Sequence, residues 1–537
     1  MENPGCEVEA ETSGERTGVG TSAVAGRRRV TAALLIAMMV TAVEQLVVAP
    51  AMPTIIADLK GFEIWPWVVS AFLLASTVST PIYGKLADLF GRKPVLIFGL
   101  ALFSLGSVLS GTSHSMVQLI VMRSIQGLGA GAVGPIVITM LGDLFTLKER
   151  AQVQGLFSAV WGLSSIGGPL IGGYLADHLG WQWVFLVCVP FAVAAIAMLY
   201  FFVTEPHIER KVAPIDWAGA VLLTSGMSTL LWIVLDGSRQ GIVIDVAAVG
   251  ASAGLLVLFV LRERVAADPI LPLDLMMQPT IAASLVASFL VGGILFGLET
   301  YVPLFVQGVR GGDATSAGRS LMPLFLAWAV SVAVAARAIV HFGFRRGGMI
   351  GASLVAAGNL ILVCGAMAPE SSGLLFIVGL AVCGLGMGPT SLSFVLAVQH
   401  AVSWGQRGVT TGAAIFLRTI GGAVGVGILG ATVGFGLAHR LARAGSKGID
   451  IIAALRPETH EHLRKEQLAL VQASLGHTLR DVYLLLTLMA LGCLVCALWL
   501  PDRDQTLSRS QLHERAVAEE DENADEDEGL AVAASEF

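Results

Sequence analysis

Hydrophobic positions along this chain do not alternate; they come in long runs. Stretches of about twenty residues with few or no charges recur from Val30 to Leu500, separated by short polar segments. Each run is long enough to cross a hydrocarbon core roughly 30 Å thick as a helix. The period-two pattern of a membrane barrel is missing, so the expected spanning elements are helices, which satisfy their own backbone groups. The pattern predicts helices near 31–53, 65–83, 94–113, 116–140, 151–173 and 182–203, a first bundle of six. Two more, near 217–236 and 242–262, read as an insertion flanked by EPHIERKVAPIDW and RERVAADPILPLDLMMQP. A second bundle follows near 281–306, 318–341, 347–367, 373–398, 408–437 and 481–500. The expected fold class is therefore an all-α polytopic membrane protein of 14 transmembrane helices, two pseudo-symmetric six-helix bundles plus two inserted helices.

The expected organisation follows. A disordered tail (1–29) precedes the first bundle (30–203), linkers with the inserted pair (204–280), a second bundle (281–501) with a long external loop at 438–480, and a disordered acidic tail (502–537). Charged residues make up 14% of the chain, well below the roughly 25% of soluble domains, and the mean hydropathy is strongly positive. Lys85, Arg92, Lys93, Lys148, Arg150, Arg210, Lys211, Arg262, Arg264, Arg345, Arg346 and Arg407 fall in loops on the side of the N-terminus, against Lys60, Arg239 and Arg310 opposite. Basic loops stay inside, so both termini are expected in the cytoplasm and the protein in the plasma (inner) membrane. The charged loop at 438–480 would then lie outside, which long loops tolerate. The first apolar run has full spanning length and no small-residue cleavage site after it, which fits a signal anchor better than a removed signal peptide. Six scattered cysteines form no metal pattern, and the net charge of −7 comes largely from EEDENADEDEG near the C-terminus.

The chain also repeats itself. QGLGAGAVGP from Gln126 is echoed by CGLGMGPTSL from Cys383, and SIGGPLIGG from Ser165 by TIGGAVGVG from Thr419, both at offsets of about 255 residues. Two related halves of this size are expected to face each other across a central site, with small residues allowing close helix packing.

These motifs carry a resemblance. GKLADLFGRKPV, from Gly84, resembles the loop signature between the second and third helices of the major facilitator superfamily. VMRSIQGLGAG resembles that family's fourth-helix motif, and GLFSAVWGLSSIGGPLIGG its fifth-helix antiporter motif. YVPLFVQGVRGGDATSAG after Thr300, together with fourteen helices, is similar to the drug:proton antiporter branch. The resemblance implies a cytoplasmic gating latch at Gly84, Asp88, Gly91, Arg92 and Lys93. It implies an antiporter motif at Gly155, Gly168, Pro169, Gly172 and Gly173. Departures are Glu44 where the branch has Asp, Ser164 for Gly, Gln182 for Arg and Cys188 for Asn. In the second half the loop signature has decayed to ARAIVHFGFRRGG, with Val340 near the place of Asp88.

Glu44 is the chemical centre of this reading. A charge at mid-bilayer costs at least about 2.5 kcal/mol, so such a group normally faces protein or water and serves a function. Burial disfavours a bare carboxylate and a neighbouring cation favours it, which suits an acid that loads and releases a proton. Arg123 is the candidate modulator, with Gln126 one turn on, and the matching position in the second half is near Leu380. Glu299 is a second intramembrane acid, open to cargo binding, to proton carriage or to pairing with a base such as Arg337; Arg418 is a further intramembrane charge. The expected activity is alternating-access, proton-coupled export of amphiphilic or cationic drugs, with a dedicated exporter of a natural lipid, siderophore or antibiotic as the alternative. Proton coupling is assigned to Glu44, Glu299 and Arg123, and the substrate cavity to Glu44, Gln126 and Glu299. No enzyme signature or phosphate loop appears, so an enzyme is not expected. No cofactor or metal is expected beyond the proton gradient. The expected partners are the lipid bilayer, a small-molecule substrate and protons, with no nucleic acid, and the expected state is a monomer.

Overall fold

A computed structural model describes residues 17–144, 147–203, 216–236, 242–266, 276–367, 372–402, 407–443 and 465–502. Lipid offers no partners to a bare backbone, and the described residues answer with helices throughout. The first bundle holds α1 (Thr17–Leu59), α2 (Pro66–Phe90), α3 (Arg92–Gly111), α4 (Met116–Leu144), α5 (Leu147–His178), and the short α6 (Gln182–Leu186) continued by α7 (Cys188–Phe202). α8 (Trp217–Asp236) and α9 (Ile242–Glu263) are the inserted pair. The second bundle holds α10 (Pro279–Gly308), α11 (Ala314–Phe342), α12 (Phe344–Met367), α13 (Ser372–His400), α14 (Arg407–Arg443) and α15 (Lys465–Ala497). Among the described residues twelve helices are long and apolar enough to cross a membrane, α6 and α7 counting as one span. α5 is diluted by Gln, Ser and Gly, and the apolar part of α8 covers only Ala218–Leu230; these two bring the total to the fourteen expected.

Several boundaries move. α1 is already helical at Thr17, within the stretch expected to be a tail. α14 continues to Arg443 and α15 begins at Lys465, so helix replaces both flanks of the expected 438–480 loop. Where the two helices meet, Arg440 lies 2.6 Å from Asp481, and Arg480 meets the same carboxylate at 2.7 Å, so charged residues are carried on helix by pairing and not by solvent. Residues 444–464, like both chain ends (1–16 and 503–537), lie outside the described residues.

Within the first bundle α1 packs on α5 and α7, and α4 on α2 and α3; within the second, α10 packs on α14 and α15, and α13 on α11 and α12. The halves meet along α5–α11, α2–α14 and α1–α10. Of the inserted pair, α8 lies against α2 and α14 and α9 packs on α8 at the edge: 22% of the apolar stretch of α9 is buried, against 72% for α10.

Glycine contacts make the internal repeat visible in three dimensions. On α4, Gly127 leaves room only for the Phe72 carbonyl of α2; on α13, Gly384 does the same for the Leu324 carbonyl of α11. Ser79 Oγ donates to Leu128 O at 3.2 Å, and Ser331 Oγ to Gly384 O at 3.0 Å. With no hydrophobic force between helices in lipid, such close approach supplies the dispersion contacts that hold them.

The same logic sets a test on the α10–α14 seam. A Cβ on Gly421 would collide with the Phe289 carbonyl, whereas one on Gly134 would meet nothing within 4 Å. Gly421→Ala is expected to destabilise by about 1–3 kcal/mol and to lower the thermal midpoint in detergent. Gly134→Ala should leave it unchanged or slightly raised.

Candidate functional site

Glu44 is fully buried on α1, six residues before Pro50. Arg123 of α4, also buried, places Nη1 2.6 Å from Glu44 Oε1. The same nitrogen donates to Gln126 Oε1 at 2.7 Å, one helical turn on. Gln126 Nε2 donates to Ser107 Oγ of α3 at 3.0 Å, and Ser107 Oγ donates to the Phe185 carbonyl of α6 at 2.8 Å. Arg123 Nε reaches the Val68 carbonyl of α2 at 3.3 Å. The guanidinium carbon lies 4.1 Å from the ring centre of Phe72 and 5.6 Å from that of Phe185, so aromatic faces cover the cation where no acceptor does. The Cys188 thiol, at the start of α7, is a further polar group beside the carboxylate.

One atom of this network is left over. Glu44 Oε2 is buried without a hydrogen-bond partner among the described residues. An unpaired buried oxygen is costly, and so is a buried charge whose partner has left. The guanidinium therefore supplies the compensation that the buried carboxylate needs, through one of its two oxygens. With no exposed surface, Glu44 here faces protein and not the open chamber the sequence suggested.

The second half repeats the acid but moves the base. Glu299, on α10, stands 255 residues after Glu44, the spacing of the repeat, and is 5% exposed. The position matching Arg123 is Leu380, a buried leucine of α13. The cation felt by Glu299 is Arg418 of α14, and no direct ion pair between them is described. Arg337, considered above as its partner, is exposed on α11 with Nη1 on the Ala333 carbonyl at 3.2 Å; it belongs to the outer face with Val334.

The motif residues divide between the two ends of the first bundle. Gly91 has φ 95°, a conformation open mainly to glycine, which turns α2 into α3. Arg92 Nη1 donates to Thr139 O of α4 at 3.1 Å. Lys93 Nζ donates to Tyr200 O at 2.9 Å and Val203 O at 2.6 Å, a cation on the carbonyl end of α7. The side chain of Asp88 and the surroundings of Gly155 lie outside the described residues, and a Cβ on Gly84 would meet nothing within 4 Å. Gly168 and Gly172 press α5 onto Leu46 and the Val47 carbonyl, the turn of α1 that follows Glu44. Gly173 faces the Ala314 carbonyl of α11, and the Pro169 carbonyl sits against Gly318.

Ser107, Phe72, Phe185 and the placing of Cys188 escaped the sequence reading, since a serine, phenylalanine or cysteine in an apolar helix carries no signal of its own. The nearest available sign was Gly106: a Cβ there would strike the backbone of Gln126, so the Gly106–Ser107 pair is what lets Gln126 approach α3.

Residues 34–426 match the family model described as Major Facilitator Superfamily. Over 405 residues the chain is 34% identical to the multidrug transporter protein MdtP of Bacillus subtilis, covering 74% of each. It is 32% identical over 413 residues to multidrug resistance protein 3 of the same species, covering 76% of this chain and 80% of the relative. Among solved structures, a bacterial homolog of the human lysosomal transporter Spinster, in an inward-facing and unoccupied conformation, has a TM-score of 0.63. The alignment covers 88% of this chain and 98% of that one at 15% identity.

Removing one member of the central pair should cost more than removing both charges. Arg123→Met, which strands a buried carboxylate, is expected to destabilise by about 3–5 kcal/mol. The double variant Glu44→Gln/Arg123→Met should recover a large part of that loss. Thermal unfolding in detergent of the wild type, Glu44→Gln, Arg123→Met and the double variant checks both statements; additive losses would show that the two side chains act independently.

Proposed function

Because this chain belongs to the major facilitator superfamily, a family of membrane transporters and not of enzymes, we propose that it is a proton-coupled antiporter exporting amphiphilic or cationic small molecules. The single observation carrying this reading is the buried Glu44–Arg123 pair with its unsatisfied carboxylate oxygen. In one state the carboxylate is bare and held by the guanidinium. In the other a proton neutralises it, and Arg123 is released to Gln126 and the Val68 carbonyl, both already bonded to it. Cargo and proton compete for one negatively charged cavity, to which Glu299 also contributes, so a proton entering from the acidic side displaces a cation.

The proposed cavity lies between Glu44, Gln126 and Glu299, at repeat-related places on the two halves. Names of the relatives support the cargo class, both being multidrug proteins. Rocking of the halves over the α5–α11 and α2–α14 seams would expose the cavity to each side in turn. The loop distribution of Lys and Arg supports a plasma (inner) membrane location with both termini cytoplasmic. In this scheme the proton gradient supplies the energy without a cofactor, and a monomer suffices.

The test is transport by purified protein in vesicles under an imposed pH gradient, with the lipophilic cation tetraphenylphosphonium as probe. Glu44→Gln should lose uphill transport, down to the rate of empty vesicles, while retaining cation exchange in the absence of a gradient. Uphill transport by Glu44→Gln at the wild-type rate would remove Glu44 from the coupling. Transport confined to neutral or anionic compounds would point instead to a dedicated exporter of a natural lipid, siderophore or antibiotic.

A further inference from the structure

The loop signature at the end of α2 has a second copy in the same bundle. GKLADLFG, from Gly84 to Gly91, aligns without a gap with GYLADHLG, from Gly173 to Gly180, as G-x-L-A-D-x-x-G. The backbone repeats as well: Gly91 has φ 95° and Gly180 has φ 99°, each just after the end of its helix. α2 and α5 run in opposite senses, so the copies sit at opposite ends of the bundle, as they would in two inverted three-helix units.

The second copy is engaged with the other half of the molecule. Asp177 accepts from Ala314 N at 3.0 Å, from Thr315 N at 2.7 Å and from Thr315 Oγ1 at 2.5 Å. These donors belong to the first turn of α11, where amides have no partner within the helix and the dipole favours a negative charge. The α11 cap residue Asp313 covers only Ser316 N, which leaves the preceding amides to Asp177. Gly173 brings the two backbones together, since a Cβ there would strike the Ala314 carbonyl. Gln307 of α10 adds a bond to the Pro50 carbonyl at 2.7 Å at the same end. At Gly84, in the first copy, a Cβ would meet none of the described residues within 4 Å.

We infer that the GYLADHLG segment is a second latch between the halves, with Asp177 closing the end of the molecule opposite GKLADLFG. It is shut in the conformation seen here and must open for the cavity to face that side. The inference rests on the alternating-access reading. It makes the two copies reciprocal: when the halves rock, the Asp177 bonds break and the Gly84 end closes. Asp58 serves as the contrast, because its carboxylate accepts from Trp181 Nε1 at 2.8 Å within one half.

Hydrogen–deuterium exchange of the full-length protein in lipid nanodiscs, read on peptides covering 312–318, tests the latch without any transport measurement. Asp177→Ala should speed exchange at Ala314 and Thr315 by on the order of tenfold. Thr315→Val, which removes only the hydroxyl donor, should speed it less, and Asp58→Asn should leave it at the wild-type rate. In parallel, a cysteine at the buried Val47 should become reactive to a membrane-impermeant maleimide in Asp177→Ala. Unchanged exchange and labelling in a monodisperse Asp177→Ala protein would overturn the inference. If that variant does not fold, unchanged exchange in Thr315→Val would overturn it. Loss of coupled transport alone, with exchange as expected, would count against the proton scheme and leave the latch standing.

Discussion

A carboxylate and a guanidinium 2.6 Å apart in the apolar interior of the first bundle constrain the elements around them. Neither group is tolerable there alone, because each would carry an uncompensated charge through a medium that solvates it poorly. Together they tie α1 to α4, and the remaining donors of Arg123 draw in α2 through Val68 O and, by way of Gln126 and Ser107, α3 and α6. The same bonds that make the pair affordable also make it responsive. Glu44 is the one charged acceptor of Arg123 among the described residues, and Arg123 connects it to every helix in the chain of bonds.

Glycine does the complementary work. α5 can lie against the turn of α1 after Glu44 because Gly168 and Gly172 offer no side chain to Leu46 and the Val47 carbonyl. One residue on, Gly173 turns the same helix towards α11 and the other half. α5 therefore touches the acid-bearing turn on one side and the seam between the halves on the other. That placement gives a physical route by which the state of Glu44 and the closure at Asp177 share one rigid element. The halves are not equal partners in this: the second keeps the acid at Glu299 but takes its cation from α14, with Leu380 in the place of Arg123.

Much of this was legible before any coordinates. The apolar runs dictated helices, the roughly 255-residue offset dictated two halves, and Glu44 with Arg123 stood out because charges are rare in such runs. Boundaries failed where charge was taken for solvent: Arg440 and Arg480, expected in the loop, sit on helices and share the Asp481 carboxylate. Of the readings left open for Glu299, pairing with Arg337 is the one the packing removes, since Arg337 and Arg418 are equally charged as letters and differ in which face of their helix they occupy.

The division has a physical basis. By itself the sequence determined the solvent, the secondary structure, the duplication and the identity of the unusual charges, because these depend on composition and periodicity along one chain. Only the tertiary structure decided which charge meets which, that Ser107 and the Phe185 carbonyl complete the bonds of Gln126, and that Asp177 bridges two halves. Those facts depend on helix rotation and on approach distances set by glycines on neighbouring helices, quantities that exist only once the helices are packed.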